Sequence, residues 1–203
     1  MFGVEFAPKP EVTVCVSTYG DESWVGSAES IAIPSVYRQT FPVEVIHSHH
    51  KYSLSESRNQ AALSAETEWI IFLDADDELD PSYVEEMLQG TADLRRPSTL
   101  GVVDGVEDDF PYLIPEKDIL TSNYIVIGTM VRRQQFLDVG GFSDLPILED
   151  WDLWIRMLHS GCSIEAIPKA IYRVHVNSNS RNSDHALADQ YAAMIRSKYR
   201  RSV

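Results

Sequence analysis

The sequence predicts an α/β fold, with a mostly parallel central sheet flanked by helices in one domain across residues 1–203. Two observations carry that expectation. Short apolar runs alternate with helix-forming runs through the first half of the chain. One of them, Trp69-Ile-Ile-Phe-Leu73, is rich in β-branched and aromatic residues, reads as a fully buried strand, and breaks off into Asp74, Asp76 and Asp77. In open α/β sheets ligands bind in the crevice at the carboxyl ends of the strands.

Val12 to Ser17 reads as the first buried strand, ending in Ser17-Thr-Tyr-Gly20. Ser23 to Gln39 can form a helix that Pro34 must kink or interrupt. Val43 to His47 is a short second strand, and Ser55 to Ser64 a helix with Ser55 as its candidate cap. After the acidic cluster, Pro81 starts a helix over Ser82 to Gln89. From Arg95 to Thr121 the pattern weakens: Leu100 to Asp104 offers a strand, whereas Glu107-Asp-Asp109, Pro111 and Pro115 suggest a surface connection. Tyr124 to Val131 reads as a strand, followed by a Gly140-Gly141 turn and a helix from about Glu149 to Ser160 that stops at Gly161. Ile164 to Val174 offers one or two strands around Pro168, and an amphipathic helix follows from about Asp184 with Arg196, Lys198, Arg200 and Arg201 at its end.

Composition narrows the function classes. The 44% hydrophobic content is ordinary for a globular core, and no apolar run approaches the roughly 20 residues that span a bilayer. Met1 to Pro8 lacks the features of a secretory signal, and Cys15 and Cys162 are expected to stay reduced, so a cytoplasmic location is expected. A formal charge of −14 opposes a stable, sequence-independent complex with nucleic acid.

Four segments carry chemistry. The acids from Asp74 to Asp77 repel one another unless a cation intervenes, and hard oxygen ligands suit Mg²⁺ or Mn²⁺ together with a substrate phosphate. Glu149 and Asp150 open a helix, where acids simply complement the dipole or supply a rigidly held general base. His175 follows a strand, either as a structural hydrogen-bonding residue or as a further metal ligand. Ser57-Arg58-Asn59 is polar within a helical pattern and reads in isolation as a solvated face.

Ser17-Thr-Tyr19, Ser57-Arg-Asn59, Phe72-Leu-Asp-Ala-Asp-Asp77, Val139-Gly-Gly-Phe142, Glu149-Asp-Trp-Asp-Leu-Trp-Ile-Arg156 and Tyr172-Arg-Val-His175 occur in this order. Together they resemble the family-2 glycosyltransferases of the GT-A (Rossmann-like) fold over roughly residues 10–182. The resemblance implies inverting transfer of a sugar from a nucleotide-diphosphate sugar, with Mn²⁺ or Mg²⁺ as cofactor. It implies that Ser17, Thr18, Tyr19, Arg58, Asn59, Asp74 and Asp76 serve the donor, and that Asp76 and His175 serve the metal. Asp150 would be the catalytic base, with Gly141, Glu149 and Trp151 on the acceptor side.

One stretch departs from that pattern. Many relatives carry an acidic turn after the second strand, whereas this chain has Ile46-His-Ser-His-His-Lys51. A UDP-sugar remains the favoured donor, with the base left open. His47, His49 and His50 fit alternating exposure on a strand end better than a metal site. A calcium loop is rejected, because Leu79 stands where its sharp turn needs Gly. A glycan, a lipid-linked sugar, a protein side chain or a modified nucleobase could be the acceptor, with the segment from Arg95 to Thr121 shaping its cleft. A metal-dependent nucleotidyltransferase and an inactive sugar-nucleotide or glycan-binding module are the alternatives. The first leaves Glu149-Asp150 without a role.

Overall fold

The computed structural model describes residues 9–176 and 185–200. Residues 177–182 of the expected core, Asp184 and Arg201 lie outside them. An eight-stranded sheet organises the chain. Its strands are β1 (Val12–Tyr19), β2 (Glu44–His50), β3 (Trp69–Asp74), β4 (Glu78–Leu79), β5 (Leu94–Val103), β6 (Val106–Glu107), β7 (Met130–Arg132) and β8 (Ile164–Val176). The order is β2-β1-β3-β7-β5-β8-β4, with β6 hung on β5. The long pairings β1–β2, β1–β3 and β5–β8 are parallel; the antiparallel ones are only two residues long. A mixed sheet that is parallel over most of its length matches the expected class.

The first helical stretch runs as α1 (Ser23–Ser27), a π-helical turn (Ala28–Ala32) and α2 (Ile33–Tyr37). Pro34 has no N–H to give the carbonyl one turn back, and the ladder widens just ahead of it. Helix α3 (Leu54–Ser64) is capped by Ser53, whose hydroxyl accepts the Glu56 N–H at 3.1 Å. The expected cap, Ser55, is instead a buried residue of the first turn that donates to the Ser143 carbonyl at 2.9 Å. Helix α4 (Tyr83–Leu88) follows Pro81 as expected.

The middle of the chain departs from expectation. Arg95, Arg96 and Pro97, where the sequence pattern weakens, belong to the ten-residue strand β5, whose second half is the strand expected from Leu100. Arg95 stacks on Trp69 at 3.9 Å and donates to the carbonyls of Ala92 and Met87, each at 3.0 Å. Arg96 lies 5.2 Å from the Tyr124 ring and donates to the Ile114 carbonyl at 2.7 Å. Pro97 is tolerated because the β5–β8 register slips between Pro97 and Ser98, opposite the stretch of β8 that contains Pro168. The strand expected over Tyr124 to Val131 shrinks to β7, although Tyr124 and Ile125 are buried. A turn at Val126 to Thr129 interrupts the extended run, and a Cβ on Gly128 would collide with the Tyr172 ring. Helix α5 (Arg133–Asp138), absent from the sequence reading, fills the space before the Gly140-Gly141 turn. Helices α6 (Glu149–His159) and α7 (His185–Arg200) stand where expected.

Candidate functional site

The parallel strands β1, β2 and β3 end together. Ser17 is in register with both Ser48 and Asp74, and Thr18 with His49. The hydroxyls of Ser17, Ser48 and Ser57 form a chain, at 3.2 Å between Ser17 and Ser48 and 2.8 Å between Ser48 and Ser57. On the other face of β1, the Thr18 hydroxyl sits 3.2 Å from His47 Nε2 and 3.0 Å from His49 Nδ1. His47 is half-buried and His49 exposed, although both lie on the face of β2 that meets Thr18. Burial, reinforced by the neighbouring His49 charge and opposed by Glu29, holds the His47 imidazole below its ordinary value. Tyr19 is half-buried at the end of the same strand.

Arg58 is the centre of the site. It is 2% exposed, so Ser57-Arg58-Asn59 is no solvated face. Its guanidinium forks, giving Nη2 to Asp74 Oδ1 at 2.5 Å and Nη1 to Glu149 Oε1 at 2.7 Å. Burial disfavours its charge, but Asp74 and Glu149 outweigh that, so Arg58 stays cationic. One side chain of α3 thus ties the end of β3 to the first turn of α6. Beside it, the Asn59 amide is committed at both ends to the Phe142 backbone, accepting its N–H at 2.8 Å and donating to its carbonyl at 2.9 Å. Asn59 therefore holds the Gly140-Gly141-Phe142 turn against α3. Phe142 in turn packs edge-on against Phe72 of β3, with ring centroids 4.8 Å apart.

The acids after β3 are not equivalent. Asp74 and Asp76 are half-buried, and the Asp77 N–H closes a turn onto the Asp74 carbonyl at 3.2 Å. Asp77 is buried, accepts the His175 N–H at 2.8 Å and is pushed well above the ordinary carboxylate range by burial and then by the Asp74 charge. The His175 ring lies 3.1 Å from Glu78 Oε2, and Glu78 also accepts from Arg38 at 2.7 Å. Sequence reading missed the Tyr172 hydroxyl, which accepts the Asp74 N–H at 3.3 Å and hydrogen-bonds Asp77.

At the opposite side, Leu148 adopts a left-handed conformation (φ 62°) and turns the chain into α6. Asp150 remains half-buried, accepting the Trp151 N–H at 2.8 Å and the Asn123 amide at 2.9 Å. Burial and then the Glu149 charge push its carboxyl up to about 6, against the lowering effects of Asn123, Arg58 and the Trp151 N–H. Gly141, Glu149 and Trp151, expected on the acceptor side, are all buried. The Trp151 indole N–H donates to the Ile119 carbonyl at 2.6 Å.

Among the described residues no three His, Cys, Asp or Glu side chains are arranged to hold a metal on their own. Mg²⁺ and Mn²⁺ are commonly held by one or two carboxylates, with water and substrate phosphate completing the shell. The mutually repelling acids at the end of β3 fit that kind of binding. Among the described residues no helix is long and apolar enough to cross a membrane.

Comparison with known proteins agrees with this geometry. Residues 25–144 match the model of glycosyl transferase family 2. A Haemophilus influenzae protein named as an uncharacterized glycosyltransferase is 30% identical over 149 residues, covering 65% of this chain and 49% of its own. The chain thus spans about half the length of that curated relative. The fold is similar to that of Staphylococcus aureus TarS residues 1–349 in complex with UDP-GlcNAc, with a TM-score of 0.67 and 16% identity over 86% of this chain and 61% of that one. The same protein in complex with UDP gives a TM-score of 0.63 and 19% identity over 82% and 61%. At such identity the likeness is one of fold, and together with the family match it places this chain in glycosyl transferase family 2.

Proposed function

We propose that this chain is an inverting glycosyltransferase that moves a sugar from a nucleotide-diphosphate donor to an acceptor hydroxyl, with Asp150 as general base. The observation that carries the reading is the Arg58 fork, which links Asp74 at the donor end of the sheet to Glu149, the neighbour of Asp150. The acceptor oxygen attacks the anomeric carbon while the bond to the diphosphate breaks on the opposite face. Its proton passes to Asp150, and the nucleoside diphosphate leaves. A carboxylate raised to about 6 suits this task, because it is ionised at neutral pH yet basic enough to take a proton.

Ser17, Thr18, Tyr19, Asp74 and Arg58 would frame the nucleotide, with Asn59 positioning the adjacent turn. Asp76 would hold a divalent cation with the donor phosphates, His175 standing near as a further contact. A cation there would supply Lewis-acid neutralisation of the charge that grows on the departing diphosphate. A uridine diphosphate sugar is the first donor to test, since TarS was crystallised with UDP-GlcNAc and UDP. The test is a thermal-shift screen of nucleotide sugars with and without Mn²⁺, followed by transfer assays on the stabilising donor. Metal-dependent stabilisation by a nucleotide sugar is expected. Stabilisation by nucleoside triphosphates alone, with release of pyrophosphate, would overturn it.

A further inference from the structure

Asn123 lies in the irregular run before β7, one residue ahead of the strand expected from Tyr124. Its Nδ2 donates to Asp150 Oδ2 at 2.9 Å, while its Oδ1 is buried with no hydrogen-bond partner. Leaving a buried acceptor unpaired is unfavourable. The observed orientation is therefore fixed by the carboxylate, because the flipped amide would set Oδ1 against a carboxylate oxygen. The Trp151 N–H approaches the other oxygen, Oδ1, at 2.8 Å. Two donors on two different oxygens set the plane of the Asp150 carboxylate.

The run that carries Asn123 is itself held in place. Trp151 donates to the Ile119 carbonyl at 2.6 Å, and Arg196 of α7 to the Thr121 carbonyl at 3.2 Å. The Arg196 guanidinium also covers the Trp151 ring at 5.2 Å, and Tyr124 is buried beneath Arg96. The geometry points to Asn123 as a positioning residue for the reaction: through its single amide contact, a segment pinned by Trp151 and Arg196 holds the Asp150 carboxylate in the orientation a base needs. This rests on Asp150 being the base.

The charged groups facing Asp150 are Glu149 on its own helix and Arg58 from α3. Asn123 is the neutral side chain that offsets burial and the Glu149 charge. Its loss removes stabilisation of the ionised form and moves the Asp150 titration upward.

The test follows the ¹³C carboxyl resonances of aspartate-labelled protein through a pH titration, with Asp150→Asn identifying the Asp150 signal. Asn123→Ala and Asn123→Ser are expected to raise the Asp150 midpoint by about one pH unit. The serine variant carries the measurement if the alanine variant does not fold. An unmoved midpoint in a folded variant, even with a lowered melting temperature, would reduce Asn123 to a structural residue and overturn the inference. If the midpoint moves but Asp150→Asn still transfers sugar normally, the base assignment fails while the contact stands.

Discussion

Arg58 and Glu149 form an ion pair at 2.7 Å, 91 positions apart in sequence, and the two side chains are 3% and 2% exposed. Such a pair gives up hydration that its mutual attraction repays only with good geometry. Here the second arm of the guanidinium reaches Asp74 at 2.5 Å, so one cation serves two acids on two elements. The arrangement fixes the spacing between the end of β3 and the start of α6, the gap that donor and acceptor would share under the proposed function.

Breaking the fork should therefore harm both fold and function. Arg58→Met leaves Glu149 buried without its cation, and truncating one partner of a buried pair costs about 3–5 kcal/mol. Arg58→Lys keeps the charge but presents one compact ammonium in place of a planar fork, so it cannot serve both acids equally. Urea unfolding should rank the variants wild type, lysine, methionine in falling stability. Turnover by the lysine variant should fall more than its stability does.

The same residue shows what the sequence could and could not say. The ordered motifs placed Arg58, Asp74 and Glu149 among the site residues, and the periodicities gave β1, β3, α3 and α6. What joins those residues is a contact across the fold, which no local pattern reports. Asn123 was invisible for that reason: its partner is 27 positions away and its own neighbours read as a strand. Only the second half of strand β5, from Leu100, was legible; its first half was not, because Arg95-Arg96-Pro97 interrupts the apolar pattern. The structure buries both arginines by stacking them on Trp69 and Tyr124 and by feeding their N–H groups to backbone carbonyls. Aromatic surfaces supplied from elsewhere made a polar segment central.

Asp150 should leave its mark on pH dependence in two ways. If it is the base proposed above, it works ionised, so transfer should rise through a midpoint near 6 and level off above it. Asp150→Asn should lower turnover by about 10²–10⁴-fold with donor binding retained. For stability the sign runs the other way. A carboxyl at about 6 in the folded protein, against roughly 3.9 in the unfolded chain, favours folding while protonated. That contribution is full below about pH 4 and lost as pH rises through 6. Asp150→Asn should thus gain stability over wild type at pH 7, by on the order of 2 kcal/mol, and lose the advantage at pH 4. Chemical denaturation at the two pH values checks it.

Asp152, two residues on, should behave oppositely. It is 1% exposed and accepts from Lys198 at 2.8 Å, Tyr199 at 2.7 Å and Ser143 at 2.7 Å, with Arg156 at 2.8 Å. Burial pushes its carboxyl up, but these partners outweigh it and hold it at about 2. Its stabilisation is therefore present above about pH 4 and lost as pH falls through 2. Because Lys198 and Tyr199 belong to α7, Asp152→Asn should loosen that helix at neutral pH. Faster amide exchange across residues 192–199, with β1 and β3 unchanged, is the expected signature; uniform acceleration would mean that α7 is not held locally.

The Gly140-Gly141 turn allows a comparison at adjacent positions. Both residues have positive φ, +86° and +67°, so alanine strains the backbone at either one. At Gly140 an added Cβ meets nothing within 4 Å, whereas at Gly141 it would lie 2.5 Å from Asn59 Oδ1 and 3.2 Å from Phe136 Cζ. The Asn59 oxygen cannot retreat without giving up the Phe142 N–H that it accepts at 2.8 Å. Gly140→Ala should thus cost about 1 kcal/mol, from strain alone. Gly141→Ala should cost about 1–3 kcal/mol more, because it also unpairs the backbone groups of buried Phe142 from the half-buried Asn59 amide. Combining Gly141→Ala with Asn59→Ala should cost less than the sum of the two, because each breaks the same pair of hydrogen bonds. Strict additivity in that double-mutant cycle would mean that Asn59 does not hold the turn.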